Sequence, residues 1–279
     1  MFSLEAELGA MKGIKAKLVL KAGVVPRFIR PRPIPFALKE AVEQERHHLE
    51  EQGILRRITH SSWAAPIVVV PKKDGRVRLC GDYKMTINQY LEVDRYPLPK
   101  PNDLFATLEG GQKFSKIDLS QAYQQLVLEE ESCELVVINT HIGLFSYTRL
   151  PFGVASAPAL FQWAMDSILQ GIAGVICYID DILVTGKDDA QHLQALEQVL
   201  SRLQKAGLTI QKNKCVFMAK SVEYHGHIVD AEGLHTTPEK LKAILEAPAP
   251  KDLNQMRSFL GLVNYYARFI QTCQRCFIP

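Results

Sequence analysis

The sequence has no apolar run that approaches the roughly 18–20 residues a membrane-spanning helix needs, so no membrane partner is expected. Its first ten residues hold two glutamates and no continuous apolar stretch, which does not read as a signal peptide. Cysteine is sparse: six in 279 residues, with only Cys273 and Cys276 close together. That usage excludes a disulfide-stapled mini-protein. It fits reduced thiols in the cytoplasm, with the nucleus as an alternative. Internal repeats and low-complexity tracts are lacking, and 17 Gly and 15 Pro are too few for a collagen-like fibre. What is present is 47% hydrophobic residues, enough to bury a sizeable core in one large or two modest domains.

The net charge of +3 conceals an asymmetry. Residues 1–100 carry +7, residues 101–200 carry −9 and residues 201–279 carry +5. Only 4 Lys/Arg stand in the central hundred, against 13 Asp/Glu. Basic flanks suit phosphate binding and an acidic centre suits metal ions. A random spread of solvated surface charge is the competing explanation, and charge alone does not choose between them.

Residues 1–36 read as an extended arm lying along a domain surface, because Arg27, Arg30 and Arg32 interleave with Pro26, Pro31, Pro33 and Pro35. Residues 38–52 have helical periodicity, with Leu38, Ala41, Val42 and Leu49 near one face and Gly53 as the stop. Strands over 67–70 and 76–80 flank a Lys73-Asp74-Gly75 tip and predict a hairpin. Residues 91–101, with three prolines, form a connector. Short strands are expected over 114–119, 126–128 and 135–138, with Glu129-Glu130-Glu131 as a solvated turn. Ser156 is placed to cap a helix that starts near Pro158 and stops at Gly171. Asp188 or Asp189 caps an amphipathic helix with Leu193, Leu196, Leu200 and Leu203 on one face and Gly207 at its end. A strand pair around Val216 and Tyr224 follows, then helices starting at Thr237-Pro238-Glu239 and Asp252-Leu253. Strands and helices mix without strict βαβ alternation, which favours an α+β fold.

The segment Val175-Ile176-Cys177-Tyr178-Ile179-Asp180-Asp181-Ile182-Leu183-Val184 is apolar except for its central aspartates. Two buried strands leave almost no room for a loop, so the pair sits at a tight turn. Burying bare carboxylates is costly, and a hard divalent cation is the natural compensation. The alternative is an ordinary hairpin turn that uses aspartate. Asp118 ends another apolar strand; if the strands pair, Asp118 and Asp180 can face each other across the sheet. Carboxylates so placed form a two-metal site, one ion activating a 3′-hydroxyl and the other steadying a leaving pyrophosphate. A lone Asp at a strand end is more often a cap or turn residue. Zinc is disfavoured, because Cys273 and Cys276 are isolated and His225 and His227 lie far away in sequence.

Three segments occur in order: Lys116-Ile117-Asp118-Leu119-Ser120-Gln121-Ala122-Tyr123, Leu150-Pro151-Phe152-Gly153-Val154-Ala155-Ser156-Ala157-Pro158 and Tyr178-Ile179-Asp180-Asp181. Together they resemble the A, B and C motifs of reverse transcriptases. The Leu-Pro-Phe-Gly form and Phe259-Leu260-Gly261-Leu262-Val263-Asn264-Tyr265-Tyr266 resemble gypsy-type LTR retrotransposon pol polyproteins. The resemblance runs from about Met11 to Ile270. It implies an α+β right-hand polymerase fold: an arm over 1–36, fingers over 37–93 and 126–156, palm over 94–125 and 157–232, and a partial thumb over 233–279. It also implies an RNA-directed DNA polymerase that extends a primer with dNTPs on an RNA or DNA template. Two Mg²⁺ ions would serve it, with Mn²⁺ as a substitute.

The same resemblance distributes roles over this sequence. Asp118, Asp180 and Asp181 match the metal-binding carboxylates, and the backbone carbonyl of Leu119 completes the metal shell. Tyr123 matches the steric gate, where a ring under the sugar leaves no space for a 2′-hydroxyl; an isolated Tyr there would otherwise read as half-buried core. Lys72 and Arg78 match the fingers residues that hold a triphosphate, one as a point charge and one as a bidentate fork. Lys73 and Arg76 read instead as charges that keep the hairpin edges soluble. Asp82 is expected to fix the Arg78 side chain. Phe152 and Gly153 match the nucleotide-contacting part of motif B, with Gly153 permitting close backbone approach. Lys212 falls where the family places a proton donor to pyrophosphate, with Lys214 a close competitor. Tyr224-His225-Gly226 matches the primer grip, with His225 in place of the usual apolar residue.

No protease precedes these motifs, and no connection, RNase H or integrase segment follows Arg268-Phe269-Ile270, so a truncated element copy is expected. Two rivals remain open. One is a catalytically silent relic that binds nucleic acid through its basic flanks. The other is an RNA-directed RNA polymerase, against which Tyr123 and the Tyr178-Ile179 pair argue. Oligomeric state is not legible.

Overall fold

The computed structural model describes residues 8–72, 75–92, 96–99, 107–108, 110–224, 226–237, 242, 246 and 249–266. The arm has the extended backbone its prolines require, but it does not simply lie on the surface. Its strand β1 (Lys15–Ala16) pairs in parallel with residues 127–128. Leu20 bridges to Leu91 and Phe28 to Ala64. Met11, Ala16 and Leu18 are buried in the main core, and the Leu18 N–H donates to Ser132 Oγ at 2.8 Å.

Helix α1 (Phe36–Glu51) buries Val42 and Leu49, as its periodicity predicts. It packs on a five-stranded sheet of β2 (Leu55–Ile58), β3 (Ala65–Pro71), β4 (Val77–Gly81), β7 (Val137–Thr140) and β8 (Gly143–Tyr147), in the order β2-β8-β7-β3-β4. The hairpin β3–β4 was expected. β2 was not, because exposed Arg56 and Arg57 occupy its centre and hide the alternation. Between the chain's halves of this sheet lie β6 (Val127–Leu128) and the single-turn helix α2 (Glu130–Cys133). The acidic run is thus not a plain solvated turn: Glu130 and Glu131 sit at a helix N-terminus, where negative charge is favoured.

A four-stranded antiparallel sheet carries the aspartates. It contains β5 (Lys113–Asp118), β9 (Val175–Tyr178), β10 (Asp181–Gly186) and β11 (Val216–Ala219), in the order β11-β5-β10-β9. Helix α3 (Ala157–Leu169) packs on β9, and α4 (Asp189–Lys205) packs on β10 and β5. Ser156 occupies the N-cap position of α3 but makes no capping bond; Pro158 in the first turn starts the helix without it. Asp188 does cap α4, its Oδ1 accepting from the Gln191 N–H at 2.8 Å.

The buried stripe of α4 is His192, Ala195, Leu196, Val199 and Leu203, while Leu193 is 52% exposed. The expected face was rotated because a histidine takes a core position, its Nε2 lying 2.7 Å from Ser115 Oγ. The strands around Val216 and Tyr224 do not pair with each other. β12 (Ser221–Tyr224) instead joins β13 (His227–Asp230) and β14 (Gly233–Thr236) in a separate sheet. A second, small core fills the space between: Phe114, Ile176, Leu183, Val222, Tyr224 and Val229. The helix expected at Thr237-Pro238-Glu239 lies outside the described residues. Helix α5 (Leu253–Tyr266) starts where expected, with Asp252 Oδ1 accepting from the Gln255 N–H at 2.8 Å.

An arm that enters the core contributes to stability as core does. Leu18→Ala is expected to lower the unfolding free energy by about 2–4 kcal/mol in a urea titration. A change below about 0.5 kcal/mol, the usual effect of a surface substitution, would mark the arm as a loose strap.

Candidate active site

Asp118 is the last residue of β5 and Asp181 the first of β10, and the antiparallel register sets them directly opposite each other. The residue facing Asp118 is therefore Asp181; Asp180 occupies the turn. Tyr178 pairs with Asp181, so Ile179 and Asp180 are the two central residues of a tight hairpin. Ile179 has φ +57°, a left-handed conformation that such turns impose and glycine usually fills. For a non-glycine residue this costs on the order of 1–3 kcal/mol and persists only where the surroundings enforce it. Here they do so from three sides. The Ile179 N–H donates to Gln162 Oε1 at 2.7 Å. The Leu119 N–H donates to the Asp180 carbonyl at 3.3 Å. The Tyr224 hydroxyl donates to the Asp181 carbonyl at 3.2 Å.

Like charges directly opposite on paired strands repel. Lys116 Nζ lies 3.3 Å from Asp181 Oδ1, and Lys214 Nζ lies 3.7 Å from Asp118 Oδ1. Both separations exceed a direct charge-assisted hydrogen bond. The Asp118 side chain is only 15% exposed. Burial pushes its pKa above the ordinary carboxylate value; Lys214 and Lys116 pull it down, while Asp181 and Asp180 push it further up. Lys116 and Lys214 thus offset part of the charge on Asp181 and Asp118. Among the described residues no three His, Cys, Asp or Glu side chains converge as a ready-made metal cage. The donor set nevertheless suits a hard divalent cation, which takes oxygen ligands and can be completed by water and a ligand's phosphates.

Asp118 and Asp180 open onto a cleft of about 750 Å³, whose lining does not include Asp181. Lys72, Arg76 and Arg78 of the β3–β4 hairpin line it too, as does Lys214, so the cleft brings cations and carboxylates together. Arg76 belongs to this wall and is not merely a solubilising edge charge; Lys73 and Asp74 lie outside the described residues. The Arg78 guanidinium sits 4.3 Å from the Phe152 ring centre, a cation–π contact. Phe152 in turn meets Tyr123 at 5.2 Å, and Tyr123 meets Phe161 edge-on at 5.6 Å. This aromatic row runs from Arg78 to Tyr123, whose hydroxyl feels the charge of Asp180. Burial, with Asp180 and Tyr178 adding to it, pushes the Tyr123 hydroxyl up to about 12, so the ring stays neutral.

Asp82 does not hold Arg78; its Oδ2 accepts from Arg32 Nη2 of the arm at 2.5 Å. Gly153 has φ +97°, and a Cβ there would lie 2.9 Å from the Gly81 carbonyl oxygen, so glycine is required. Asn88, in no motif, clamps this loop: its Nδ2 donates to the Gly153 carbonyl at 2.8 Å and its Oδ1 accepts from the Ala155 N–H at 2.9 Å. Lys212 and Lys214 share a 3₁₀ turn, but Lys214 is the one that reaches Asp118 and lines the cleft. Tyr224 is fully buried beneath the aspartate turn, so its side chain is a prop and not a surface. Gly226 follows with φ +72°, and His225 lies outside the described residues.

Residues 70–229 match the reverse transcriptase (RNA-dependent DNA polymerase) family. The chain is 33% identical to the retrovirus-related Pol polyprotein from transposon opus of Drosophila melanogaster, over 94% of this chain and 27% of that protein. It is 32% identical to the transposon Tf2-3 polyprotein of Schizosaccharomyces pombe, over 93% of this chain and 20% of that protein. The chain thus spans about a quarter or less of these curated relatives. Among solved structures, a foamy viral protease–reverse transcriptase in complex with double-stranded DNA superposes with a TM-score of 0.83 at 28% identity, covering 93% of this chain and 45% of that one. The same viral enzyme with an RNA/DNA hybrid gives 0.80 at 27% identity, covering 93% and 35%. The cleft therefore lies in an α+β right-hand polymerase fold, and the chain belongs to the reverse transcriptase family.

Burial of Asp118, with repulsion from its neighbours added, has a thermodynamic signature. Because the folded chain holds the Asp118 proton more tightly than the unfolded chain, stability falls as pH rises from the unfolded carboxylate pKa through the higher folded one. In EDTA, Asp118→Asn is expected to raise the Tm at pH 7. The gain should shrink to nothing below the ordinary carboxylate range. A lower Tm at pH 7 would show that the lysines outweigh burial and repulsion together.

Proposed function

We propose that this chain is an RNA-directed DNA polymerase that extends a primer 3′-hydroxyl with dNTPs by two-metal nucleotidyl transfer. The observation that carries the reading is the shared cleft: Asp118 and Asp180 line it together with Lys72, Arg76, Arg78 and Lys214, and with the paired rings of Tyr123 and Phe152. Asp118, Asp180 and Asp181, with the Leu119 carbonyl, would hold two Mg²⁺ ions, for which Mn²⁺ would substitute. Such ions activate the attacking hydroxyl and neutralise charge on the departing pyrophosphate. Lys72, Arg76 and Arg78 bind the triphosphate, and Phe152 keeps Arg78 aimed along the cleft. Gly153 lets backbone approach the nucleotide. Tyr123 stands under the sugar and excludes a 2′-hydroxyl. Lys214, in the role expected of Lys212, offers a proton to the pyrophosphate. Gly226 and His225 follow Tyr224 in the segment that would face the primer.

Two foamy viral relatives were solved with double-stranded DNA and with an RNA/DNA hybrid. We extend that class of partner, a template with its primer, to this chain. We also divide it by its sheets. The five-stranded sheet, from 37–93 and 126–156, is the fingers. The four-stranded sheet, from 94–125 and 157–232, is the palm. The boundary with the thumb is best moved from 232 to Thr236, because β14 is paired to β13. The arm is 1–36.

Purified parent protein is expected to incorporate dTTP on poly(rA)/oligo(dT) with Mg²⁺. Asp180→Asn should lose several kcal/mol of stabilisation, roughly a thousandfold or more in rate. A folded parent that binds the primer–template without incorporating would overturn the reading and leave a silent nucleic-acid-binding relic. Arg78→Ala removes a charge-assisted contact worth about 1.5–3 kcal/mol, so the dNTP KM should rise about 10- to 100-fold. An unchanged KM would remove Arg78 from the triphosphate site.

A further inference from the structure

Behind the aspartate turn runs a chain of side-chain hydrogen bonds that begins in the connector before β5. The Tyr96 hydroxyl donates to Asp166 Oδ2 at 2.7 Å. Asp166 Oδ1 accepts from Gln162 Nε2 at 2.8 Å. The same Nε2 donates to the Cys177 carbonyl at 3.0 Å, and Gln162 Oε1 accepts from the Ile179 N–H at 2.7 Å. Gln162 is fully buried, while Asp166 and Tyr96 are half-buried. Gln162 and Asp166 stand four residues apart on α3 and so share a face.

A buried amide can present either end to a neighbour. Reversed, the Gln162 NH₂ would meet the Ile179 N–H, donor against donor. Its oxygen would then meet the Cys177 carbonyl and the Asp166 carboxylate, acceptor against acceptor. A carbonyl oxygen has no proton to donate, so the Cys177 carbonyl and the Asp166 acceptor oxygen together admit only the orientation that serves Ile179. Tyr96 donates to the other carboxylate oxygen and sets its plane. The bond to the Ile179 N–H then holds a left-handed residue that has no glycine to relieve it.

We propose that Tyr96, Asp166 and Gln162 form a positioning relay that locks the Ile179 turn, so that Asp180 and Asp181 stand where divalent ions are held. The proposal rests on the polymerase reading for the identity of that ligand. None of the three residues lines the cleft. They act through the backbone of the turn.

The test is Mn²⁺ binding by the full chain, read from the electron paramagnetic resonance of free Mn²⁺, with circular dichroism to check the fold. Removing a residue that orients metal ligands typically costs about 10- to 100-fold in affinity, and Gln162→Leu is expected in that range. Asp166→Ala should lose about tenfold by the same logic. Asp166→Asn keeps an acceptor for Nε2 and should recover most of that loss, which a space-filling role would not require. Tyr96→Phe removes one half-buried hydroxyl and should weaken Mn²⁺ by roughly the value of one hydrogen bond, a few-fold. Affinities of all these variants within about twofold of the parent, a difference of only about 0.4 kcal/mol, would overturn the relay. Should Gln162→Leu not fold, Asp166→Ala and Tyr96→Phe carry the decision. Asp118→Asn separates the two readings. If it loses Mn²⁺ while the relay variants keep it, the relay alone falls. If it binds like the parent, the carboxylates are not the metal site and both fall.

Discussion

The register of β5 against β10 forces Asp118 and Asp181 to face each other, with Lys116 3.3 Å from Asp181 and Lys214 3.7 Å from Asp118. Much of the surrounding structure answers that repulsion. Lys116 and Lys214 approach the carboxylates from two sides. Leu119, Tyr224 and Gln162 hold the backbone that carries them. The turn between them has no spare residue and runs through an isoleucine with positive φ. A surface loop under this charge would splay apart. Here the strands are paired, their inner faces are buried, and the charge is held in place.

The aspartates were legible because they interrupt an apolar run. Ten residues with two charges at the centre have few arrangements other than a hairpin with a carboxylate tip. The register was legible only in part: the strand pairing was foreseen, but which aspartate faces Asp118 depends on where the turn begins. Arg76 was misread because a charge beside a hairpin tip gives no sign of which way the strand twist will send it. The burial of Tyr224 was not legible either; only the second core shows it.

Polar residues in the interior were the least legible. His192 sits in a helical stripe because of Ser115, seventy-seven residues away. Gln162 matters because of Ile179 and Cys177, which belong to a strand pair packed beneath its helix. Asn88 is one asparagine in a stretch without periodicity, and its value appears only when the Gly153 loop folds over it. Apolar patterning is a local signal, but a buried hydrogen bond has two ends and the sequence displays them far apart. The single strand β2 shows the converse: its pairing with β8 is regular, yet two arginines at its centre disguise it.

The arm adds a constraint of timing. Lys15 pairs with Val127, the Met11 N–H donates to the Gln125 carbonyl, and the Lys12 N–H donates to the Ala206 carbonyl. During synthesis the arm leaves the ribosome long before any of these partners exists. Its apolar residues must wait uncovered while the fingers and most of the palm emerge, and long-range parallel pairing of this kind is slow to form. A chain built this way closes last at a seam made from its earlier residues. That seam is where binding by a chaperone, or aggregation, would intercept it.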